Sequence, residues 1–182
     1  MIAFSSIFTR RVLLYLLLAY DRLGIEPALS YGYTGSVRDG EWGVQLSTLE
    51  ALVYPLHANL YEAFHALESG GAEALLSLQP SSEYRPVVHD RRKLLRVIQE
   101  IMEERTGSRR CRSLMVKALG CDTTYLAGDF RNKGKTISMH KVEMYCLAAG
   151  GISLGDVFQR YYEKYSDDPE NLNWDAYPAP AV

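Results

Sequence analysis

Basic side chains are concentrated in the middle of the chain, where together they could bind a polyanion. Residues 85–135 hold thirteen Lys and Arg against six Asp and Glu, whereas residues 1–84 and 136–182 carry net charges of −5 and −4. A block of fixed positive charge attracts phosphate, and acidic flanks weaken indiscriminate binding. A solvated helix face has the same composition, so charge alone leaves both interpretations open.

Side chains that could support catalysis or bind a metal form no recognisable pattern. The sequence contains no P-loop, no dinucleotide-binding glycine motif, no nucleophile elbow and no His-Glu-x-x-His motif. Its four histidines are scattered, and Cys111, Cys121 and Cys146 match no known spacing of zinc ligands. We therefore expect no enzyme, no metal and no cofactor. Three cysteines without a CxxC pair favour a reducing compartment, the cytoplasm.

The elements that position the basic block are predicted to be helices. An apolar run over residues 12–20 lies in a first helix that ends at Gly24. Nine apolar residues are too few to span a membrane, and no cleavage site follows them, so we interpret the run as a buried helix. Ser47 and Glu50 have capping-box spacing, which predicts the start of a second helix.

The second half of the chain is more regular and predicts five short helices. Apolar residues recur at helical spacing from Leu94 to Met102, and Gly107 follows them. Asp122 is predicted to cap the third of these helices, after a tight connection at Gly120. Ser138 is predicted to open the fourth helix in the same way.

The run over residues 114–126 resembles the two central helices of the Cro/repressor family, also called the xenobiotic-response-element family. In that family a helix closes with an alanine-rich turn, a glycine, a small apolar residue and a polar cap, as in residues 118–122 here. Residues 130–138 resemble the family's exit from the recognition helix, and residues 142–158 resemble its fourth helix and the start of its fifth. The resemblance covers 75 of the 182 residues and implies a five-helix helix-turn-helix domain of the phage-repressor type.

The resemblance also implies roles for individual residues. Base edges would be read from the N-terminus of the recognition helix and from one residue further along it, namely Asp122, Thr123, Thr124, Tyr125 and Arg131. Phosphate contacts would come from basic residues on either side of that helix, namely Arg109, Arg110, Arg112, Lys133 and Lys135. The expected core positions are Leu114, Leu119, Leu126, Phe130, Val142 and Phe158.

Two residues inside the recognition helix depart from the family pattern. Gly128 costs a helix about 1 kcal/mol relative to alanine. Asp129 places a carboxylate where phosphates are expected, which does not favour DNA binding.

A weak internal repeat relates the two halves of the chain. Residues 44–50 align with residues 137–143 at an offset of 93, and Leu60 and Phe64 match Leu154 and Phe158 at an offset of 94. Residues 10–67 would then be a degenerate copy of the second half, acidic and lacking residues where its second helix would lie. Chance matches between two amphipathic helical stretches are the other interpretation.

These observations predict an all-α protein with an N-terminal helical domain followed by a phage-repressor-like helix-turn-helix domain. Residues 1–78 form the interaction or dimerisation domain, 79–90 a linker, 91–165 the DNA-binding domain and 166–182 a flexible tail. The expected function is transcription regulation by a cytoplasmic homodimer on double-stranded DNA, with no membrane contact.

The alternative function is a scaffold that binds protein instead of DNA, such as an antirepressor or inhibitor from a phage or other mobile element. Residues 1–78 offer one surface for such a protein partner. A net charge of only −2, the acidic tail and Asp129 favour this alternative.

Overall fold

The computed structural model describes residues 7–24, 26, 45–53, 59–77, 90–131 and 137–165. Within these ranges the chain forms eight helices: α1 Ile7–Leu23, α2 Leu46–Val53, α3 Leu60–Leu76, α4 Arg91–Thr106, α5 Cys111–Leu119, α6 Thr123–Arg131, α7 Met139–Ala148 and α8 Leu154–Tyr165. The described ranges contain no strand, only one antiparallel bridge between Gln45 and Ser138. The all-α prediction is confirmed for these residues. The predictions for Lys133, Lys135, the linker up to residue 89 and the tail lie outside them.

Helices from both halves contribute to one hydrophobic core. α3 packs against α1 on one side and α8 on the other, and α8 also packs against α4. The fully buried rings of Phe64 and Phe158 stack where α3 meets α8, with centroids 5.3 Å apart. The division of the chain into two domains stays a prediction.

α1 is the buried helix predicted from the apolar run. Leu13 and Leu16 lie in the core, and the buried Tyr20 donates a hydrogen bond to the carbonyl of Leu52, 2.9 Å away. None of the helices in the described ranges combines the length and the apolar character needed to cross a membrane.

The ends of several helices follow local sequence signals. Gly24 and Gly107 follow α1 and α4 with φ values of 66° and 64°, a left-handed conformation that glycine adopts without strain. Ser138 caps α7, because its hydroxyl accepts a hydrogen bond from the amide of Lys141. Both the Gly24 end and the Ser138 cap were predicted.

The predicted capping box of Ser47 and Glu50 is wrong. α2 begins at Leu46, which places Ser47 inside the helix. The amide of Leu46 donates to the carbonyl of Ile137, 2.9 Å away, so a contact with the other half fixes this helix start. A capping box that was not predicted opens α3, where the amides and side chains of Asn59 and Glu62 exchange two hydrogen bonds of 3.0 Å.

Candidate nucleic-acid interface

α5 and α6 are joined by a turn of only three residues. Gly120 has φ 61° and ψ 27°, and its amide and that of Cys121 donate back to carbonyls in the last turn of α5. The third residue, Asp122, precedes the first residue of α6. The tight connection predicted around Gly120 is therefore present.

Buried side chains on one face of each helix fix this pair. α5 buries Cys111 and Met115, and α6 buries Leu126 and Phe130. The two helices contact each other, both pack against α4, and α5 also packs against α7.

The predicted core positions are confirmed in this region with one exception. Leu126, Phe130, Val142 and Phe158 are buried, and Leu119 is partly buried against the core. The prediction for Leu114 is wrong, because its side chain is 41% exposed. Met115, one residue further along α5, is fully buried instead.

Asp122 caps α6 and also orders the two threonines that follow it. Its Oδ1 accepts hydrogen bonds from the amide of Thr124 at 2.7 Å, the Thr124 hydroxyl at 2.9 Å and the Thr123 hydroxyl at 3.3 Å. These bonds favour the ionised carboxyl and lower the pKa of Asp122. Because both hydroxyl hydrogens point to Asp122, each threonine offers a ligand its oxygen lone pairs and its methyl group. Thr123, Thr124 and the 46%-exposed Tyr125 face solvent.

Asp129 is the centre of a polar cluster, not a surface charge. It is only 7% exposed, and its carboxylate accepts hydrogen bonds from Tyr145 and, at 3.0 Å, from Lys141. The guanidinium of Arg91 lies 3.8 Å away. The expectation that Asp129 would oppose a bound phosphate is therefore wrong, because the side chain joins α4, α6 and α7 from inside.

The same cluster reaches the exposed face of α6 through Lys141. Its ammonium group lies 4.8 Å from the ring centroid of Tyr125, a cation–π contact. Burial lowers the pKa of Lys141, but hydrogen bonds to Asp129 and Tyr125 outweigh it and hold that pKa above its usual value. Lys141 was not among the predicted site residues, because no local signal in the sequence connects it to Tyr125, sixteen residues earlier.

Exposed arginines lie before α5 and at the end of α6. Arg109 and Arg110 precede α5, and Arg131 ends α6; none of the three makes an ion pair with a described residue. Arg112 is held more firmly, because its guanidinium covers the ring of Phe130 at 4.2 Å and its Nε donates to Gln99 at 3.1 Å. Lys117, exposed on α5, is a further candidate that was not among the predicted phosphate contacts.

Several basic side chains elsewhere in the described ranges pair with carboxylates, whereas the exposed Arg11, Arg22 and Arg96 do not. Arg105 pairs with Asp156, and Arg160 pairs with Glu104. Arg109, Arg110, Arg112 and Arg131, at the ends of α5 and α6, have no carboxylate partner among the described residues, so their charge is available to a negatively charged ligand.

Comparisons of the chain with protein-family models, curated proteins and solved structures gave no match. The resemblance to the Cro/repressor family rests on the residues quoted for it and stays a prediction. The described ranges define an all-α structure in which an exposed, capped helix ends at an arginine without a carboxylate partner among the described residues.

Replacing Gly128 by alanine is expected to stabilise the protein by about 0.5–1 kcal/mol. Gly128 is exposed within α6, and a Cβ added there would have no atom within 4 Å. Gly120→Ala is the matched control, because its φ of 61° is unfavourable for alanine by about 1–2 kcal/mol. Urea unfolding of both variants measures the difference, and a destabilised Gly128→Ala would show that α6 is not a regular helix at this residue.

Proposed function

We propose that the protein is a sequence-specific DNA-binding regulator of transcription that places α6 in the major groove of double-stranded DNA. One observation carries the proposal: α6 has an exposed, capped N-terminus and ends at Arg131, and Arg109, Arg110 and Arg112, which have no carboxylate partner among the described residues, lie at the start of the helix before it. An α-helix fits the major groove, and exposed arginines bind phosphate on either side of it.

The polar groups of α6 suggest which base edges it reads. The hydroxyls of Thr123 and Thr124 donate to Asp122, so their oxygens are acceptors suited to the amino groups of adenine or cytosine. Their methyl groups can pack on the methyl group of thymine. Arg131 is suited to a guanine two turns further on, and Tyr125 is held beside these residues by Lys141.

Phosphate contacts are assigned to the arginines before α5. Arg109 and Arg110 are exposed there, and Arg112 is oriented by Phe130 and Gln99. Lys133 and Lys135 retain their roles from the sequence as predictions outside the described residues.

A protein-binding scaffold remains the second candidate because of the exposed Leu114. Together with Tyr125, it places apolar area on α5 and α6, which suits a protein partner. Asp129 no longer supports this candidate, since its carboxylate is buried and bonded within the chain.

The proposal is tested by selecting a binding site from random duplex DNA and measuring affinity against salt concentration. For the five predicted phosphate contacts, we expect log K to fall with log salt with a slope of roughly −4 to −5. Thr124→Ala should lose about 1–3 kcal/mol on the selected site and little on random DNA. Arg110→Ala should weaken both by a similar factor and make the slope shallower by about one unit.

The control is Arg105→Ala, which removes an arginine of α4 that already pairs with Asp156. It should leave both affinities and the salt slope close to those of the parent chain. If selection enriches no sequence and Arg110→Ala behaves like Arg105→Ala, the DNA-binding proposal fails and the scaffold becomes the better interpretation.

A further inference from the structure

The two halves of the described structure contain two pairs of matching helices at nearly the same offset. α2 and α7 begin at Leu46 and Met139, 93 residues apart, and α3 and α8 begin at Leu60 and Leu154, 94 residues apart. The weak sequence repeat has the same two offsets. The matched helices therefore begin at aligned residues.

Matched residues touch each other where the halves meet. Gln45 forms its bridge with Ser138, Phe64 stacks on Phe158 with an interplanar angle of 13°, and His65 Nε2 lies 3.1 Å from Gln159 Oε1. In a two-fold symmetric interface, only residues on the axis contact their own counterparts. These three pairs thus lie along one pseudo-two-fold axis, a placement that chance sequence matches do not explain.

Contacts away from the axis occur twice, as two-fold symmetry requires. The rings of Tyr61 and Tyr162 meet edge to face at 5.9 Å. At an offset of 94, Tyr61 aligns with Gly155 and Tyr162 aligns with Glu68. The symmetric counterpart of the tyrosine contact is therefore a contact between Gly155 and Glu68. It is present, because the amide of Gly155 donates a hydrogen bond to the Glu68 carboxylate at 3.4 Å.

The remaining pair of long helices, α1 and α4, also fits the two-fold relation between the halves. α1 and α4 have 17 and 16 residues, and each is followed by a left-handed glycine. α1 packs against α3 as α4 packs against α8. The first half is therefore arranged around α3 as the second half is around α8.

The halves differ in the segment that would bind DNA. Residues 107–138 contain α5 and α6 and hold seven basic and two acidic residues. The corresponding residues 24–45 are ten fewer and hold one basic and three acidic residues. Only the second half has the length and the charge of a DNA-binding unit.

We infer that the chain is a single-polypeptide pseudo-dimer with one DNA-binding unit, which acts as a monomer on a DNA site without two-fold symmetry. This inference rests on the proposed function for its DNA part. The face of α8 on the pseudo-axis is already covered by α3 of the same chain, so a second chain cannot use that axis. The homodimer expected from the sequence would need another interface.

The architecture is tested without DNA. Sedimentation equilibrium at micromolar concentration should give the 20.5 kDa mass of one chain, and twice that mass would overturn the inference. The double variant His65→Cys, Gln159→Cys, made with Cys121→Ser because Cys121 is the native thiol that is not buried among the described residues, should cross-link within one chain when treated with a short bis-maleimide. Each single variant in the same background should give no such product. An equal mixture of ¹⁴N and ¹⁵N chains distinguishes a cross-link within one chain from a cross-link between two chains. Cross-linked products that contain both isotopes would place the axis between chains and overturn the inference.

The DNA part is tested on the selected site. One chain should bind one copy of the recognised sequence, with an affinity within about twofold of that for an inverted repeat after correction for the number of sites. Two chains bound cooperatively to an inverted repeat, with no binding to a single copy, would overturn the inference and leave the proposed function standing. Absence of all DNA binding would overturn the proposed function and the DNA part, whereas the mass and the cross-link still decide the pseudo-dimer.

Discussion

Replacing Asp129 by alanine is expected to lower the free energy of unfolding by about 3–5 kcal/mol. The substitution removes a buried carboxylate that accepts hydrogen bonds from Tyr145 and Lys141. The fully buried Tyr145 loses its acceptor, and the partly buried Lys141 loses its carboxylate partner. Because the three residues join α6 to α7, the loss should also loosen the presentation of Tyr125. Urea unfolding followed by circular dichroism measures the change.

Asp156→Ala is the matched control for Asp129→Ala. Asp156 also pairs with an arginine, but both side chains are about half exposed and the closest atoms are 3.5 Å apart. An exposed ion pair of this kind contributes about 0–1 kcal/mol. Asp129→Asn should fall between the two, since it removes the charge but keeps an oxygen that can accept from Tyr145. Equal effects of Asp129→Ala and Asp156→Ala would refute the buried cluster.

Phe130→Ala is expected to cost about 3–5 kcal/mol, the range for removing a buried aromatic ring. The ring is 8% exposed, and with Leu126 it forms the buried face of α6. Its removal leaves a cavity beneath α6 and takes away the surface under the guanidinium of Arg112. The unfolding temperature and the affinity for DNA should therefore both fall.

Tyr125→Ala controls for the loss of an aromatic ring from the same helix. Tyr125 is 46% exposed, so its removal creates little cavity, and we expect a loss of about 1 kcal/mol or less. A Phe130→Ala variant that unfolds at the same temperature as Tyr125→Ala would mean that α6 is not anchored through Phe130.

Features that depend on a few neighbouring residues could be predicted from the sequence. The caps at Asp122 and Ser138 and the left-handed Gly107 are each specified within about four residues, since they satisfy the free amides or carbonyls of one helix end. The tight turn at Gly120 is local for the same reason.

Features that depend on distant contacts could not be predicted in this way. Asp129 was expected to oppose DNA binding because its partners could not be identified from local sequence. Lys141 and Tyr145 follow it by twelve and sixteen residues. The capping box predicted at Ser47 was wrong because Ile137, far along the chain, accepts the amide hydrogen of Leu46, the first residue of α2. Leu114 and Met115 are adjacent and apolar, so helical spacing alone did not decide which of them would face the core.

The pairing of α3 with α8 also constrains the order in which the protein folds. The two helices begin 94 residues apart, so their contacts form only after a long loop has closed, at an entropic cost that local helix formation does not offset. During synthesis, Phe64 and its apolar neighbours on α3 are made well before residues 154–165 can cover them. The growing chain thus passes through a stage with an uncovered apolar helix, which makes early release or truncation before α8 a cause of aggregation.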